Sequence, residues 1–157
     1  KSCEIGCAVE HSRSRNLYEA IAEYPRPSTR VSLKSGEGLA VPLQCRQCEN
    51  APCVAVCPTR ALYRKNEDSP VAIDQDLCIG CKWCVLACPF GVITLDDKSH
   101  TIVKCDQCME RLERGQLPAC VVSCPTGALE FKCMEDVIAE KREAFLLQIE
   151  GCLGDKK

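Results

Sequence analysis

Cys78, Cys81, Cys84 and Cys88 stand at C-x2-C-x2-C-x3-C, and Pro89 follows at once. The sulfurs of Cys78, Cys81 and Cys84 fall within seven consecutive residues, so one tight loop must carry them toward a common centre. The theme recurs along the chain. Cys45, Cys48, Cys53 and Cys57 give C-x2-C-x4-C-x3-C before Pro58, and Cys105, Cys108, Cys120 and Cys124 give C-x2-C-x11-C-x3-C before Pro125. Cys3 and Cys7 form a further C-x3-C, followed by Ala8, while Cys133 and Cys152 stand apart. Against 16 cysteines in 157 residues there are only three Phe, three Tyr and one Trp. Sulfur, rather than aromatic bulk, must organise this interior.

Three chemistries use so much sulfur. Disulfide frameworks have irregular spacings, and adjacent C-x2-C cysteines are poorly placed for a well-shaped mutual bridge. Structural zinc needs two C-x2-C knuckles separated by a dozen or more residues, which leaves Cys84 and the recurring C-x3-C-P unexplained. The bacterial-type [4Fe-4S] signature is C-x2-C-x2-C-x3-C-P, with the fourth cysteine ligating the other cluster of a pair. It matches the group beginning at Cys78. Three thiolates on one loop meet three corners of a cube, the fourth corner takes a sulfur from elsewhere, and the proline ends the helical turn.

The crossover rule then assigns Cys45, Cys48 and Cys53 to one cluster with Cys88, and Cys78, Cys81 and Cys84 to another with Cys57. By the same rule Cys105, Cys108 and Cys120 take Cys7, and Cys124 joins Cys3 at a cluster of the N-terminal group. That group needs two further cysteines upstream of Lys1, so the sequence reads as lacking its natural N-terminus. Four clusters are expected, three if the first motif is truly incomplete. Cys133 and Cys152 could complete it instead, but neither sits in a ligand loop, and both read as small buried hydrophobes.

The residues after each C-P repeat as well: Thr59-Arg60-Ala61-Leu62, Phe90-Gly91-Val92-Ile93 and Thr126-Gly127-Ala128-Leu129. Strands are expected at Ala61–Arg64 and Val71–Ile73 around a turn at Asn66–Pro70, and at Val92–Leu95 and Ile102–Lys104 around Asp96–His100. The fold class is α+β: tandem ferredoxin-like two-cluster units with short hairpins and ligand loops, plus a C-terminal helix. Residues 45–104 form the central unit, 1–44 with 105–132 a second and discontinuous one, and 133–157 a helical tail. A helix over Asn16–Glu23 stops at Pro25. In the tail, Met134, Ile138, Phe145, Ile149 and Cys152 lie along one stripe, which either packs on its own domain or docks onto a partner subunit.

Composition removes other classes. With 20 basic and 22 acidic side chains the net charge is −2, which excludes nucleic-acid binding driven by charge. No apolar run approaches the roughly 18 residues that cross a bilayer. Gly36-Glu37-Gly38 lacks the third glycine and context of a dinucleotide site, and no phosphate loop appears. His11 and His100 fall in expected loops as solvated or hydrogen-bonding residues, with His11 close enough to Cys7 to tune a cluster. Lys82 and Trp83, between two ligand positions, shape a docking face or shield the cluster from water. Arg13-Ser14-Arg15 and Glu140–Glu143 read as solvated charge. No catalytic residue emerges, so the expected role is electron carriage. A zinc-stabilised interaction module is the alternative from another class. Thiolate and cluster chemistry suit the cytoplasm.

The stretches Cys45-Arg-Gln-Cys-Glu-Asn-Ala-Pro-Cys, Cys78-Ile-Gly-Cys-Lys-Trp-Cys-Val-Leu-Ala-Cys-Pro-Phe-Gly and Lys104-Cys-Asp-Gln-Cys resemble the four-cluster iron–sulfur electron-transfer subunits found beside molybdopterin oxidoreductases, formate-hydrogen lyases and carbon monoxide dehydrogenases. The resemblance covers Lys1 to Lys132. Cys3-Glu-Ile-Gly-Cys-Ala-Val-Glu-His-Ser and the short Cys108–Cys120 insert look most like the ferredoxin-like subunit of carbon monoxide dehydrogenase; hydrogenase and formate dehydrogenase relatives are also similar. The resemblance implies a chain of [4Fe-4S] clusters between a catalytic subunit of one of these types and a second electron-transfer protein, within a hetero-oligomer.

Overall fold

Helical turns and two-stranded hairpins alternate along the chain. The order is α1 (Ser2–Glu10), α2 (Leu17–Ala22), β1 (Ser32–Gly36), β2 (Leu39–Leu43), α3 (Pro52–Ala55), β3 (Leu62–Tyr63), β4 (Ala72–Ile73), α4 (Trp83–Ala87), β5 (Thr94–Leu95), β6 (Ile102–Val103), α5 (Met109–Glu113), α6 (Ala119–Val122) and α7 (Met134–Gly154). The computed structural model describes residues 1–67, 69–96 and 100–154, with side chains placed up to residue 151. Short helices and short strand pairs make it α+β.

Each C-x3-C spans about one helical turn, and chain chemistry fixes both ends. Pro52 opens α3 and Pro118 precedes α6, where a missing N–H costs nothing. Pro58, Pro89 and Pro125 then stop continuation. Asn16 caps α2, its side chain accepting from the N–H of Tyr18 at 2.9 Å and of Glu19 at 3.4 Å. That helix ends at Ala22, just short of the expected Glu23.

The two expected hairpins form with shorter strands than the sequence suggests. Leu62 pairs Ile73 and Tyr63 pairs Ala72, while Thr94 pairs Val103 and Leu95 pairs Ile102. Residue 68 of the first turn and residues 97–99 of the second lie outside the described residues. Leu62, Val71, Ile93 and Ile102 are buried beside Cys53 and Cys84, so these hairpins bring their apolar residues onto the sulfur-bearing helices α3 and α4.

A third hairpin was not expected. β1 and β2 pair from Ser32–Leu43 to Gly36–Leu39, turning at Glu37 and Gly38. Gly38 has φ of 72°, a conformation that glycine adopts without a Cβ penalty. The glycine pair that failed as a nucleotide motif is therefore a turn. Helix α5, within the Cys108–Cys120 insert, was likewise unforeseen.

α1 packs against α6, and Gly6 permits the approach: a Cβ there would lie 2.1 Å from Ser123 Oγ. Cys3, Cys7 and Val31 form a second core with Cys120 and Leu129 against it. α7 departs from the reading that it packs on its own domain. Phe145 is 60% exposed, and Met134, Leu146 and Leu147 are exposed as well. Phe145, Leu146 and Leu147 are consecutive, so the apolar residues spread around the helix instead of forming one burial face. Cys133 is exposed, correcting the expectation of a buried hydrophobe, and the Cys152 side chain lies outside the described residues.

Candidate iron–sulfur centres

The ligand loops share one backbone device. In Cys45–Cys48, Cys78–Cys81 and Cys105–Cys108, the second intervening residue is left-handed: Gln47 at φ 51°, Gly80 at 64° and Gln107 at 59°. This reversal curls each loop, and in the third the Gln107 N–H donates to Cys105 Sγ at 3.4 Å. Gly80 is also packed tightly, since an added Cβ would lie 2.3 Å from the His100 carbonyl oxygen. Gln47 uses its side chain across the molecule, donating to Cys105 O at 2.9 Å and accepting from Val71 N–H at 2.8 Å.

The C-P turns repeat a second device. Three residues after Cys57, Cys88 and Cys124, the backbone is again left-handed, at Arg60 (φ 57°), Gly91 (59°) and Gly127 (64°). Their N–H groups donate back to the cysteine carbonyls at 3.3, 3.3 and 3.4 Å. Thr59 Oγ1 lies 3.8 Å from Cys57 Sγ, and Thr126 Oγ1 3.5 Å from Cys124 Sγ. At Cys57 burial raises the thiol pKa, but N–H donors from Leu62 and the Thr59 hydroxyl outweigh it and hold the thiol below its ordinary value. At Cys124 the Thr126 hydroxyl and the Leu129 N–H lower it to about 7.

Elsewhere the sulfurs crowd one another. Burial pushes the Cys53 thiol up, and Cys45 and Cys88 push it further. Burial, with Cys81 and Cys53 nearby, takes Cys84 to about 11. Burial takes Cys105 to about 12, with Asp106 and Cys7 adding to it. Cys108 reaches about 11 through burial, Asp106, Cys7 and Cys120; Cys120 rises through burial and then Cys7. Cys53 thus has two members of its expected set within electrostatic reach. Cys7 reaches Cys105, Cys108 and Cys120, although α1 and the third ligand group stand far apart in the sequence. Cys48 and Cys78 are half-buried in their loops, and Cys3 is buried on α1. Every described cysteine is free. Buried thiols that face other sulfurs gain strongly from a metal core that ligates them as thiolates, so the donor set fits iron–sulfur cages.

His11 is partly buried at the end of α1, where the sequence suggested a loop. Its Nδ1 lies 2.8 Å from Cys7 O and 3.8 Å from Cys7 Sγ, and its Nε2 lies 3.2 Å from Asp106 Oδ1. A carbonyl and a carboxylate both accept, so both ring nitrogens carry protons. Burial lowers the His11 pKa, but Asp106 and Cys7 more than compensate and bring it to about 9. Burial works against ionised Asp106 too; His11 and Arg30 overcome it and hold the carboxyl well below the usual range. Arg30 pairs with Asp106 through its guanidinium, and its backbone N–H donates to Cys7 Sγ at 3.2 Å. At Cys7, burial is offset by the His11 and Arg30 hydrogen bonds, and the thiol is lowered.

Asp106, Arg30, Gln47 and Lys104 were not singled out from sequence. Position inside or beside a ligand loop was the available signal for all except Arg30. His100 contributes its backbone at Gly80. Trp83 is 60% exposed beside exposed Cys81, so it lies on the surface next to that ligand position. The arginines expected to be merely solvated make ion pairs, Arg13 with Glu23 and Arg15 with Glu110. No helix among the described residues is long and apolar enough to cross a membrane.

Residues 37–134 match the family model of the 4Fe-4S dicluster domain. The chain is 42% identical to an iron-sulfur protein of Rhodospirillum rubrum, over 91% of its own length and 80% of that protein. It is 50% identical to the B subunit of the polysulfide reductase of Wolinella succinogenes, over 87% of its own length and 71% of the relative. It is 32% identical to the B subunit of the anaerobic dimethyl sulfoxide reductase of Escherichia coli, over 87% and 69% respectively. These names support the broad iron–sulfur subunit resemblance and point to reductase complexes; they do not single out carbon monoxide dehydrogenase. This protein belongs to the ferredoxin-like 4Fe-4S dicluster family, and its cofactors are [4Fe-4S] clusters.

Proposed function

We propose that this chain is a non-catalytic electron-transfer subunit that relays electrons between a catalytic oxidoreductase subunit and a second redox protein. The carrying observation is that cysteines from distant motifs pack together, Cys57, Cys78 and Cys88 against Cys53 and Cys84, and Cys120 against Cys3 and Cys7. On this reading the ligand sets are Cys45, Cys48, Cys53 and Cys88; Cys57, Cys78, Cys81 and Cys84; Cys7, Cys105, Cys108 and Cys120; and an outermost set containing Cys3 and Cys124. Residues 45–104 carry the first two sets, and residues 1–44 with 105–132 the others. Bound clusters supply one-electron redox chemistry. The polypeptide spaces them, excludes water and sets their potentials through hydrogen bonds and charge.

The catalytic partner is read as a molybdopterin-type reductase, supported by the reductase subunit names of two similar proteins. A carbon monoxide dehydrogenase partner is the second reading, favoured by the segment from Cys3 to Ser12 and the short Cys108–Cys120 insert. Exposed Cys81, flanked by exposed Ile79 and Trp83, is the face where an electron enters or leaves.

Iron and acid-labile sulfide in oxygen-free protein test the proposal directly: four cubanes require roughly sixteen irons and three require roughly twelve. The reduced chain should be reoxidised by its catalytic subunit and turn over no substrate alone. A colourless protein, or substrate turnover by the isolated chain, would overturn it. Co-purification with one catalytic subunit and not the other decides between the two partner readings.

A further inference from the structure

Lys104 is almost completely buried, 2% exposed, immediately before the third ligand loop. Its Nζ donates to Val71 O in the central core and to Cys105 O at 2.8 Å. Gln47, inside the first ligand loop, holds the same two residues from the other side, through Cys105 O and Val71 N–H. The ammonium therefore lies where the first loop, the central hairpin and the third loop meet. Among the described residues no carboxylate forms an ion pair with it.

Lysine is almost never fully buried without a counter-charge, because desolvation disfavours the ammonium and two carbonyl dipoles replace only part of its hydration. Sulfur is the anionic partner at hand. Its two acceptors lead to two ligand positions: one is the carbonyl of Cys105 itself, and the other, Val71, packs in the same buried cluster as Cys53. Those two cysteines belong to different ligand sets.

We propose that Lys104 is an electrostatic bridge between two cages, that of Cys45, Cys48, Cys53 and Cys88 and that of Cys7, Cys105, Cys108 and Cys120. Its ammonium takes both anionic cages as counter-ions and stabilises an added electron on either. This rests on the ligand sets proposed above. A hop across the bridge oxidises one cage by one electron and reduces the other by one; no bond forms or breaks. One charge serving both sites raises both potentials together, favouring the reduced form of each. Lys104 is thus a positioning and tuning residue that touches no substrate.

The test is a reductive titration of the full chain, followed by electron paramagnetic resonance, with iron content measured alongside. Lys104→Gln keeps a donor and loses the charge, Lys104→Met loses both, and Lys104→Arg keeps the charge. Two of the cluster potentials should move downward in the Gln and Met variants, stay near wild type in the Arg variant, and leave the others in place. Unshifted potentials at full iron content overturn the inference, as does an equal shift of every cluster. Loss of about four irons in both uncharged variants, with the remaining potentials unmoved, also overturns it and makes Lys104 purely structural. A wild-type chain with no cluster signals refutes the functional reading itself, so the two failures are distinguishable.

Discussion

Asp106 gathers three donors: the His11 ring, the Arg30 guanidinium and the Cys108 N–H, the last at 3.0 Å. Replacing it with Asn leaves two partly buried cations without their carboxylate. Asp106→Asn should therefore lower unfolding stability by about 2 kcal/mol, less than for a fully buried ion pair because water reaches the group in part. The effect carries a pH signature. His11 is raised from 6.5 to about 9, so its contribution is complete below 6.5 and disappears as the pH climbs through about 9. Asp106 is depressed below its ordinary 3.8, so its contribution is complete above that value and disappears on acidification. Denaturant unfolding of wild type and variant in oxygen-free buffer should show the widest gap between about pH 4 and 6.5 and a narrower one above about 9. His11 was visible in the sequence because Cys7 stands four residues before it. Arg30 and Asp106 were not, because 76 positions separate them and no local pattern records a contact of that range.

At the level of elements, the cysteine spacing and the prolines were legible because both act locally. C-x3-C followed by Pro specifies one helical turn and its end, and the turn recurs at Cys57, Cys88 and Cys124 with the same left-handed third residue. The β1–β2 hairpin went unread although Glu37-Gly38 lies between Val31-Ser-Leu33 and Leu39-Ala-Val41, a turn signal flanked by alternation. Two substitutions probe this scale. Gly80→Ala places a methyl against the His100 carbonyl in a left-handed residue, so it should cost about 1–3 kcal/mol and deplete iron from the Cys78–Cys84 loop, as read by melting temperature and metal analysis. Leu62→Ala, in the core between the hairpins and the sulfur-bearing helices, should cost about 2–5 kcal/mol in chemical unfolding.

Across the whole molecule, burial concentrates around the sulfurs and thins toward the tail. Removing residues 134–157 should leave iron content unchanged and shift stability by less than about 1 kcal/mol, since α7 is exposed along its described length except at half-buried Val137. Capture by the catalytic subunit should fail in the same truncated protein; a collapse of iron content would show instead that the helix supports the fold. The tail's helicity was legible from its periodicity, whereas its lack of a seat on the body was not, because a stripe does not say what lies opposite it. Gln47, Lys82, Gln107 and Cys108, all in or beside the ligand loops, hold left-handed backbones that side-chain-bearing residues disfavour by about 1 kcal/mol or more apiece. A metal core bound by the loop cysteines would add to the hydrogen bonds that hold such conformations, which couples the folding of these loops to cluster binding. A chain stripped of its clusters should therefore slacken first at these segments, and limited proteolysis should cut it there while leaving the loaded protein whole.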